Sequence, residues 1–385
     1  MGLDLAEWLN LAIRWLHLTA GIAWIGSSFY FVWLDNHLRA PAEGDASGEL
    51  WSVHGGGFYH NQKYQVAPAS MPERLHWFKW EAYFTWISGF SLLVLVYYVG
   101  AQSFLIDPAK APLSPAVAIT IGLGALALGW LVYDGLCRSP LGSSGIALGL
   151  FWFGCLLFAA WLLDGLFSSR AAYLHVGAII GTVMVANVFL IIIPNQRKVV
   201  ADLVAGRTPD PRLGAQAKQR SLHNNYMTLP VLFIMISPHY PMTYGAGRPW
   251  LVLALVGLTG VAVRHVFNLR GRGEATGPAV AVAAVLALIT VTYVTLERRG
   301  APGSGQAVAY AQVEPILATH CAGCHNVPAP PLGVSLDSWE HVSAASARIK
   351  RMAVDSQAMP LGNPTGMTPA ERQKLGAWIA AGSPK

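Results

Sequence analysis

W-L-N-L-A-I-R-W-L-H-L-T-A-G-I-A-W-I-G-S-S-F-Y-F-V-W-L, Trp8 to Leu34, is an apolar run long enough to cross a bilayer with tilt. It is too long for a signal peptide and has neither a basic flank nor a small-residue cleavage site, so it is expected to stay in place as a first membrane helix. Further spans of suitable length follow at 76–100, 114–133, 145–165, 171–194, 222–239, 249–270 and 277–297, which makes eight. Composition agrees, because 54% of the 385 residues are hydrophobic and only 12% are charged, about half the share of a soluble chain. Hydropathy changes near Arg298, and everything after it reads as a small soluble domain. The expected fold class is all-α: an eight-helix transmembrane bundle over 1–297, a Gly/Pro/Ser-bearing tether over 298–307, and a C-terminal domain over 308–385.

That last domain contains C-A-G-C-H, Cys321 to His325. Two cysteines separated by two residues and followed at once by histidine are the signature of a covalently attached c-type haem, with the histidine as first axial ligand. A zinc knuckle would need a second ligand pair nearby, and a redox dithiol would need a thioredoxin-like βαβ context; the sequence supplies neither. The domain has the minimal size of a class I cytochrome c. A-Y-A-Q-V-E-P-I-L-A-T-H leads into the motif, Asp337 to Val354 reads as a middle helix, and T-P-A-E opens a last helix with Thr368 as N-cap and Glu371 completing a capping box. Leu375, Trp378 and Ile379 recur at helical spacing and are expected to pack on the first helix of the domain. Of Met352, Met359 and Met367, the sixth ligand is expected to be Met359, which lies in an irregular loop beside Pro360. Cys137 and Cys155 sit in or beside apolar runs and read as structural thiols.

Haem attachment of this kind takes place outside the bacterial cytoplasm, which sends the C-terminal domain to the periplasm. Loop charge points the same way. With the amino terminus outside, the inward loops hold twelve Lys and Arg residues from Arg39 to Arg272, against Lys110, Arg170 and Arg248 in the outward ones. Both termini are thus expected on the periplasmic side of the inner membrane. The formal charge of +6 is explained by these basic loops, and no basic-aromatic stripe argues for nucleic acid. A four-plus-four duplication is hinted by W-L-H at His17 against Y-L-H at His175, and by R-L-H at His76 against S-L-H at His223. Such short matches also arise by chance in apolar sequence.

Ionisable groups at bilayer depth are costly and mark candidate sites. An outer layer holds Arg14, His17, Asp164, His175 and His239, and an inner layer holds His76, Lys79, Glu81, His223, Arg264 and His265. The histidines can be ligands of a non-covalent haem b held between facing helices, general bases for a polar substrate, or satisfied interhelical hydrogen bonders. The first inward loop, W-S-V-H-G-G-G-F-Y-H-N-Q-K, is long and mixes glycines with histidines, amides and aromatics. It can fold over a planar heterocycle or stand as a structured loop without a ligand.

The W-L-H-L-T-A-G-I-A-W-I-G-S-S-F-Y-F opening, the H-G-G-G-F-Y loop and the fused C-A-G-C-H domain together resemble the bacterial membrane-bound urate hydroxylases, also called cytochrome c-linked urate oxidases. The resemblance implies oxidation of urate to 5-hydroxyisourate, with electrons leaving through haem c to respiratory cytochromes and cytochrome c oxidase instead of forming hydrogen peroxide. It also implies Cys321 and Cys324 as attachment sites and His325 as axial ligand, with Met359 in the ligand loop. It transfers no catalytic residue to the membrane part. Two layers can host urate: the inner one with His76, Glu81, His223 and Arg264, which needs a relay such as haem b on His17 and His175, or the outer one with Arg14, His17 and His175, which needs none. A reading from another class is a membrane-anchored cytochrome c that carries electrons from quinol to a terminal oxidase.

Overall fold

The computed structural model describes residues 2–64, 72–300, 308–355 and 357–385. From the amino terminus the elements are α1 (Gly2–His37), β1 (Gly48–His54), β2 (Gly57–Lys63), α2 (Trp80–Leu92), α3 (Pro115–Arg138), α4 (Gly145–Leu166), α5 (Ser169–Ala186), α6 (Ile193–Val204), α7 (Pro211–Ile236), α8 (Pro241–Tyr244), α9 (Pro249–Gly271) and α10 (Gly277–Gly300). The C-terminal part adds α11 (Tyr310–His320), α12 (Ala322–His325), α13 (Trp339–Ala344), α14 (Ser346–Ile349) and α15 (Pro369–Ala380). Long helices therefore occupy the intervals expected from hydropathy. Five stretches among the described residues are long and apolar enough to cross a membrane: Pro115–Arg138, Gly145–Leu166, Ser169–Val204, Pro249–Gly271 and Gly277–Glu297. Of the others, α2 is only 13 residues long, α1 carries Asn10, Arg14 and His17, and α7 has a polar first half.

Local chemistry sets the boundaries. Ser114 and Ser144 cap α3 and α4, each accepting a hydrogen bond from the backbone N–H three residues on, and Pro115 fills a first-turn position where a missing N–H costs nothing. A π-helical turn, Asn187–Ile192, joins α5 to α6 immediately before Pro194. The wider turn accommodates a ring that would clash with the carbonyl four residues back in a regular helix. The result is one continuous helical stretch from Ser169 to Val204.

Two expectations need correction. The second span begins at Trp80 and not at 76, so His76 lies in an exposed connection ahead of the helix. The chain is not wholly α: in the first loop β1 and β2 form an antiparallel hairpin paired from Gly48↔Lys63 to His54↔Gly57. Its turn is Gly55-Gly56, with φ of +57° and +80°, the two positive values that a type I′ turn requires. Trp51 stacks on His60 across the strands at 4.1 Å, and His60 Nε2 lies 2.8 Å from Glu49 Oε2. Residues 65–71 of the same loop, and 301–307 of the expected tether, lie outside the described residues.

The chain divides into two compact units, Met1–Leu92 with Ile180–Val231 and Thr259–Ala284, and Leu93–Ile179 with Leu232–Leu258 and Val285–Lys385. Each draws on both halves of the sequence, so this division is not the one that a four-plus-four repeat would make. In the C-terminal part, Val313, Ile316 and Leu317 of α11 share a core with Val342, Ile349, Met367, Leu375 and Trp378. The expected middle helix is broken into α13, α14 and a π-helical turn, Lys350–Asp355. Met367 is buried in that core, whereas Met359 packs at its edge.

The capping box of α15 is complete. Thr368 Oγ1 accepts from Glu371 N–H, and the Thr368 N–H donates back to Glu371 Oε2 at 2.7 Å. These bonds push the Glu371 carboxyl down to about 2, chiefly through the Thr368 N–H. A group with a depressed folded value stabilises above its ordinary titration range and loses that contribution as pH falls toward its folded value. Thr368→Ala is expected to cost roughly 1 kcal/mol at neutral pH. Hydrogen exchange of the Pro369–Ala380 amides should rise accordingly, and the difference from a Glu371→Gln variant should shrink as pH is lowered from 5 toward 2.

Candidate functional site

Gly260 brings α7 and α9 together. A Cβ there would stand 3.2 Å from Leu229 Cβ and 3.3 Å from the Pro230 ring, so the helices touch through backbone and proline. Residues 260, 264 and 268 lie on one face of α9. That face presents Arg264 and Asn268 to α7, where Asn225 Oδ1 accepts from Arg264 Nε at 2.9 Å and from Asn268 Nδ2 at 3.0 Å. All three are buried, with Asn225 at 0% exposure, Asn268 at 4% and Arg264 at 6%. The Arg264 guanidinium lies 3.8 Å from the ring centre of Phe29 on α1. A cation over an aromatic face is favoured most where water is excluded.

The cluster is not closed. Asn225 Nδ2 and Asn268 Oδ1 are buried with no hydrogen-bond partner. Each such group costs about 1–3 kcal/mol of desolvation, and an unpartnered donor and acceptor beside one cation form an arrangement able to receive a polar, anionic ligand. A second tier of amides adjoins it. Asn187, on the π-helical turn, donates to Asn224 Oδ1 at 2.9 Å and accepts from Arg220 Nη1 at 3.3 Å, while Asn224 donates to the Met184 carbonyl. Tyr226 and His265 share a hydrogen bond of 2.8 Å. Pro230 has no N–H to offer the Tyr226 carbonyl one turn back, a further polar group freed on this stretch of α7.

The inner layer read from the sequence is thus partly assembled. Arg264 and His265 meet α7, and His223 stands half-buried on α7 one turn before Tyr226. His76 does not join them; it is exposed and packs edge-on against Phe78. Glu81 sits in the first turn of α2, and Lys79 stands over the Trp80 ring. In the outer layer, Arg14 is exposed on α1 with its Nε on Asn10, and Asp164 is paired to Lys110 at 2.7 Å. His17 Nδ1 is 2.9 Å from the Thr85 carbonyl and 3.1 Å from Ser88 Oγ.

His175 is fully buried. Its Nδ1 donates to the Ala171 carbonyl at 2.9 Å, which leaves Nε2 as the acceptor facing the Tyr98 hydroxyl at 3.3 Å. Tyr97 and Phe167 close the ring in, and at Gly122 even an added Cβ would fall 2.7 Å from Nε2. A porphyrin has no room at that nitrogen. The residues around His175 do not fit haem b, and His17 belongs to the other compact unit.

The C-terminal motif is different. Cys321 and Cys324 are free thiols at either end of a single helical turn. His325 Nδ1 lies 2.7 Å from the Val334 carbonyl, which can only accept, so Nδ1 carries the proton and Nε2 keeps its lone pair. Fixing the ring through its other nitrogen is the standard way of orienting an iron-ligating histidine. The Met359 carbonyl accepts from Arg372 Nη1 at 2.7 Å, which ties the methionine loop to α15. Two thiols, a pre-oriented imidazole and a thioether make up the donor set that a covalently held haem needs.

A family model described as Urate oxidase N-terminal matches residues 4–296. The chain belongs to that family. The match covers the whole region that holds the Arg264 cluster and ends ahead of the C-A-G-C-H segment, and it links this chain to urate oxidation at a coarse level. No curated protein and no solved structure matched the chain.

Within this urate oxidase family member, the residues that sequence reasoning overlooked are Asn225, Asn268, Asn187, Asn224, Arg220 and Phe29. Amides carry no charge and escape a search for ionisable groups at bilayer depth. The signal was still present in the arginine–asparagine spacing of four on an apolar helix, and in the H-N-N-Y run of α7. Asn225→Ala removes the acceptor of two buried donors and is expected to destabilise the detergent-solubilised protein by about 2–3 kcal/mol. A loss below about 0.5 kcal/mol in thermal or denaturant unfolding would mean that these bonds contribute little.

Proposed function

We propose that this protein is a urate hydroxylase that oxidises urate to 5-hydroxyisourate in its helical part and passes the electrons through a covalent haem c to respiratory cytochromes. The observation that carries the reading is the buried Arg264–Asn225–Asn268 cluster, with its open donor and acceptor, inside the region that matches the urate oxidase family. Urate is a planar anion bearing both carbonyls and N–H groups. Arg264 balances its charge, Asn225 Nδ2 donates to a carbonyl oxygen, and Asn268 Oδ1 accepts from a ring N–H. Phe29 supplies an apolar face beside the guanidinium.

The balance of the reaction is urate plus water to 5-hydroxyisourate, two protons and two electrons. Proton removal falls to the Tyr226–His265 pair, with His223 on the same side of α7 as the next acceptor. Burial keeps bulk water from the oxidised ring, so the single water that adds has to be held by the cluster. In the C-terminal part, Cys321 and Cys324 would anchor a haem and His325 Nε2 and the Met359 sulfur would hold its iron, a group that would supply one-electron acceptance. Histidine and methionine ligation favours a potential high enough to accept electrons from an organic substrate. Positive-inside charge and periplasmic haem attachment support an inner-membrane location with both termini outside.

Anaerobic addition of urate to oxidised, detergent-purified holoprotein is expected to reduce the haem. Arg264→Gln should lower kcat/KM for that reduction about 100-fold, roughly the 3 kcal/mol expected when one partner of a buried charged hydrogen bond is truncated. Reduction by dithionite should be unchanged. A haem that stays oxidised under urate in wild-type protein would leave the chain a membrane-anchored electron carrier and overturn the reading.

A further inference from the structure

The methionine loop is docked. Within the unit that contains both segments, residues 357–363 lie against a π-helical segment, Ala101–Leu105, and Asp107 just beyond it. Asn363 Nδ2 donates to Asp107 Oδ1 at 3.0 Å, while Asn363 Oδ1 accepts from the Met367 N–H at 2.8 Å and so fixes the loop from within. Gly362 has a φ of +71°, and the space where its Cβ would stand is occupied by the Ser103 backbone. Only glycine satisfies both conditions. Arg372, buried and bonded to the Met359 carbonyl, feels the Asp107 carboxylate as its largest attractive charge. The loop that carries the expected iron ligand is therefore held by a backbone contact, a side-chain hydrogen bond and a charge attraction.

Beneath this contact runs a file of rings. Phe104 follows Ser103 directly; its centroid is 6.3 Å from that of Tyr97, and Tyr97 is 6.4 Å from His175. Ser168 Oγ clamps the Phe104 carbonyl at 2.8 Å, and the Arg170 guanidinium lies 6.0 Å from the Phe104 ring centre. The reaction releases two electrons per urate, and each has to leave the helical part singly. We propose that the Gly362/Asn363 contact on Ser103 and Asp107 is the port through which they leave, with Phe104 and Tyr97 as the rings nearest the exit. The proposal rests on the reading above, in which Met359 is a haem ligand and urate is oxidised among the helices. A haem held there would accept the electrons one at a time, with an external cytochrome as the oxidant, so two passages would close each turnover.

Gly362→Val and Asp107→Ala test the port from its two sides, the second without touching the methionine loop. In full-length holoprotein, Asp107→Ala is expected to keep the wild-type haem spectrum, midpoint potential and dithionite reduction, whereas Gly362→Val also strains the methionine loop and is read against its own dithionite rate. Stopped-flow reduction by urate should slow at least tenfold in Gly362→Val and severalfold in Asp107→Ala. Wild-type urate rates in both variants would overturn the port. The docking itself is read without activity: an Asp107→Cys/Asn363→Cys pair should form a disulfide that retains the C-terminal fragment after cleavage at a protease site inserted between residues 300 and 308. Absence of that cross-link would overturn the docking, and a cross-linked protein that lost urate-driven reduction would overturn the port. Failure of wild-type protein to reduce its haem with urate would instead sink the functional reading, and the cross-link result would stand apart from it.

Discussion

A guanidinium can lie buried between helices only when its charge and its donors are met by the protein, since surrounding lipid offers neither. Asn225 meets one donor of Arg264 and Phe29 meets the charge. Much else in that compact unit follows from this constraint. The helices must approach closely at Gly260, Arg264 and Asn268 must share a face, and the polar atoms left over must turn inward instead of toward hydrocarbon. The cluster is left incomplete at Asn225 Nδ2 and Asn268 Oδ1, whereas a fully satisfied network would stabilise the helix pair more.

The C-terminal part solves a separate problem with separate means. Its core of aliphatic side chains around Trp378 is small, and order in its loops comes from specific polar bonds. His325 is oriented by Val334, Met359 by Arg372, and α15 by the Thr368–Glu371 box. Each of these positions either a candidate iron donor or the helix behind it. The His325 ring, the Met359 loop and α15 are thus each fixed by the polypeptide's own groups.

Much of the fold was legible because hydropathy reports burial in lipid directly. The intervals of the long helices, the capping box at Thr368 and the packing of Leu375 and Trp378 all follow from periodicity and end chemistry. The hairpin was not anticipated, although Gly55-Gly56 between aromatic-bearing segments is a turn signal with a defined backbone demand. His76 was misplaced because one apolar run was taken to begin a few residues early, and helix starts are the least determined feature of such runs. At the site, Arg264 stood out by its charge and Asn225 did not, because an amide becomes conspicuous only when its neighbours in space are known. The crowding at His175 Nε2 is of a kind that no sequence displays: the groups that close it in, the Tyr98 hydroxyl and the Gly122 backbone, are distant along the chain.

The crossing at Gly260 sets the α7–α9 separation by main-chain atoms and a proline ring, which leaves no adjustable side chain at the point of closest approach. The Asn225–Arg264 hydrogen bond is accordingly insensitive to what happens on the outward faces of both helices. Those faces can drift among aliphatic residues to suit a different lipid without altering the gauge of the interior.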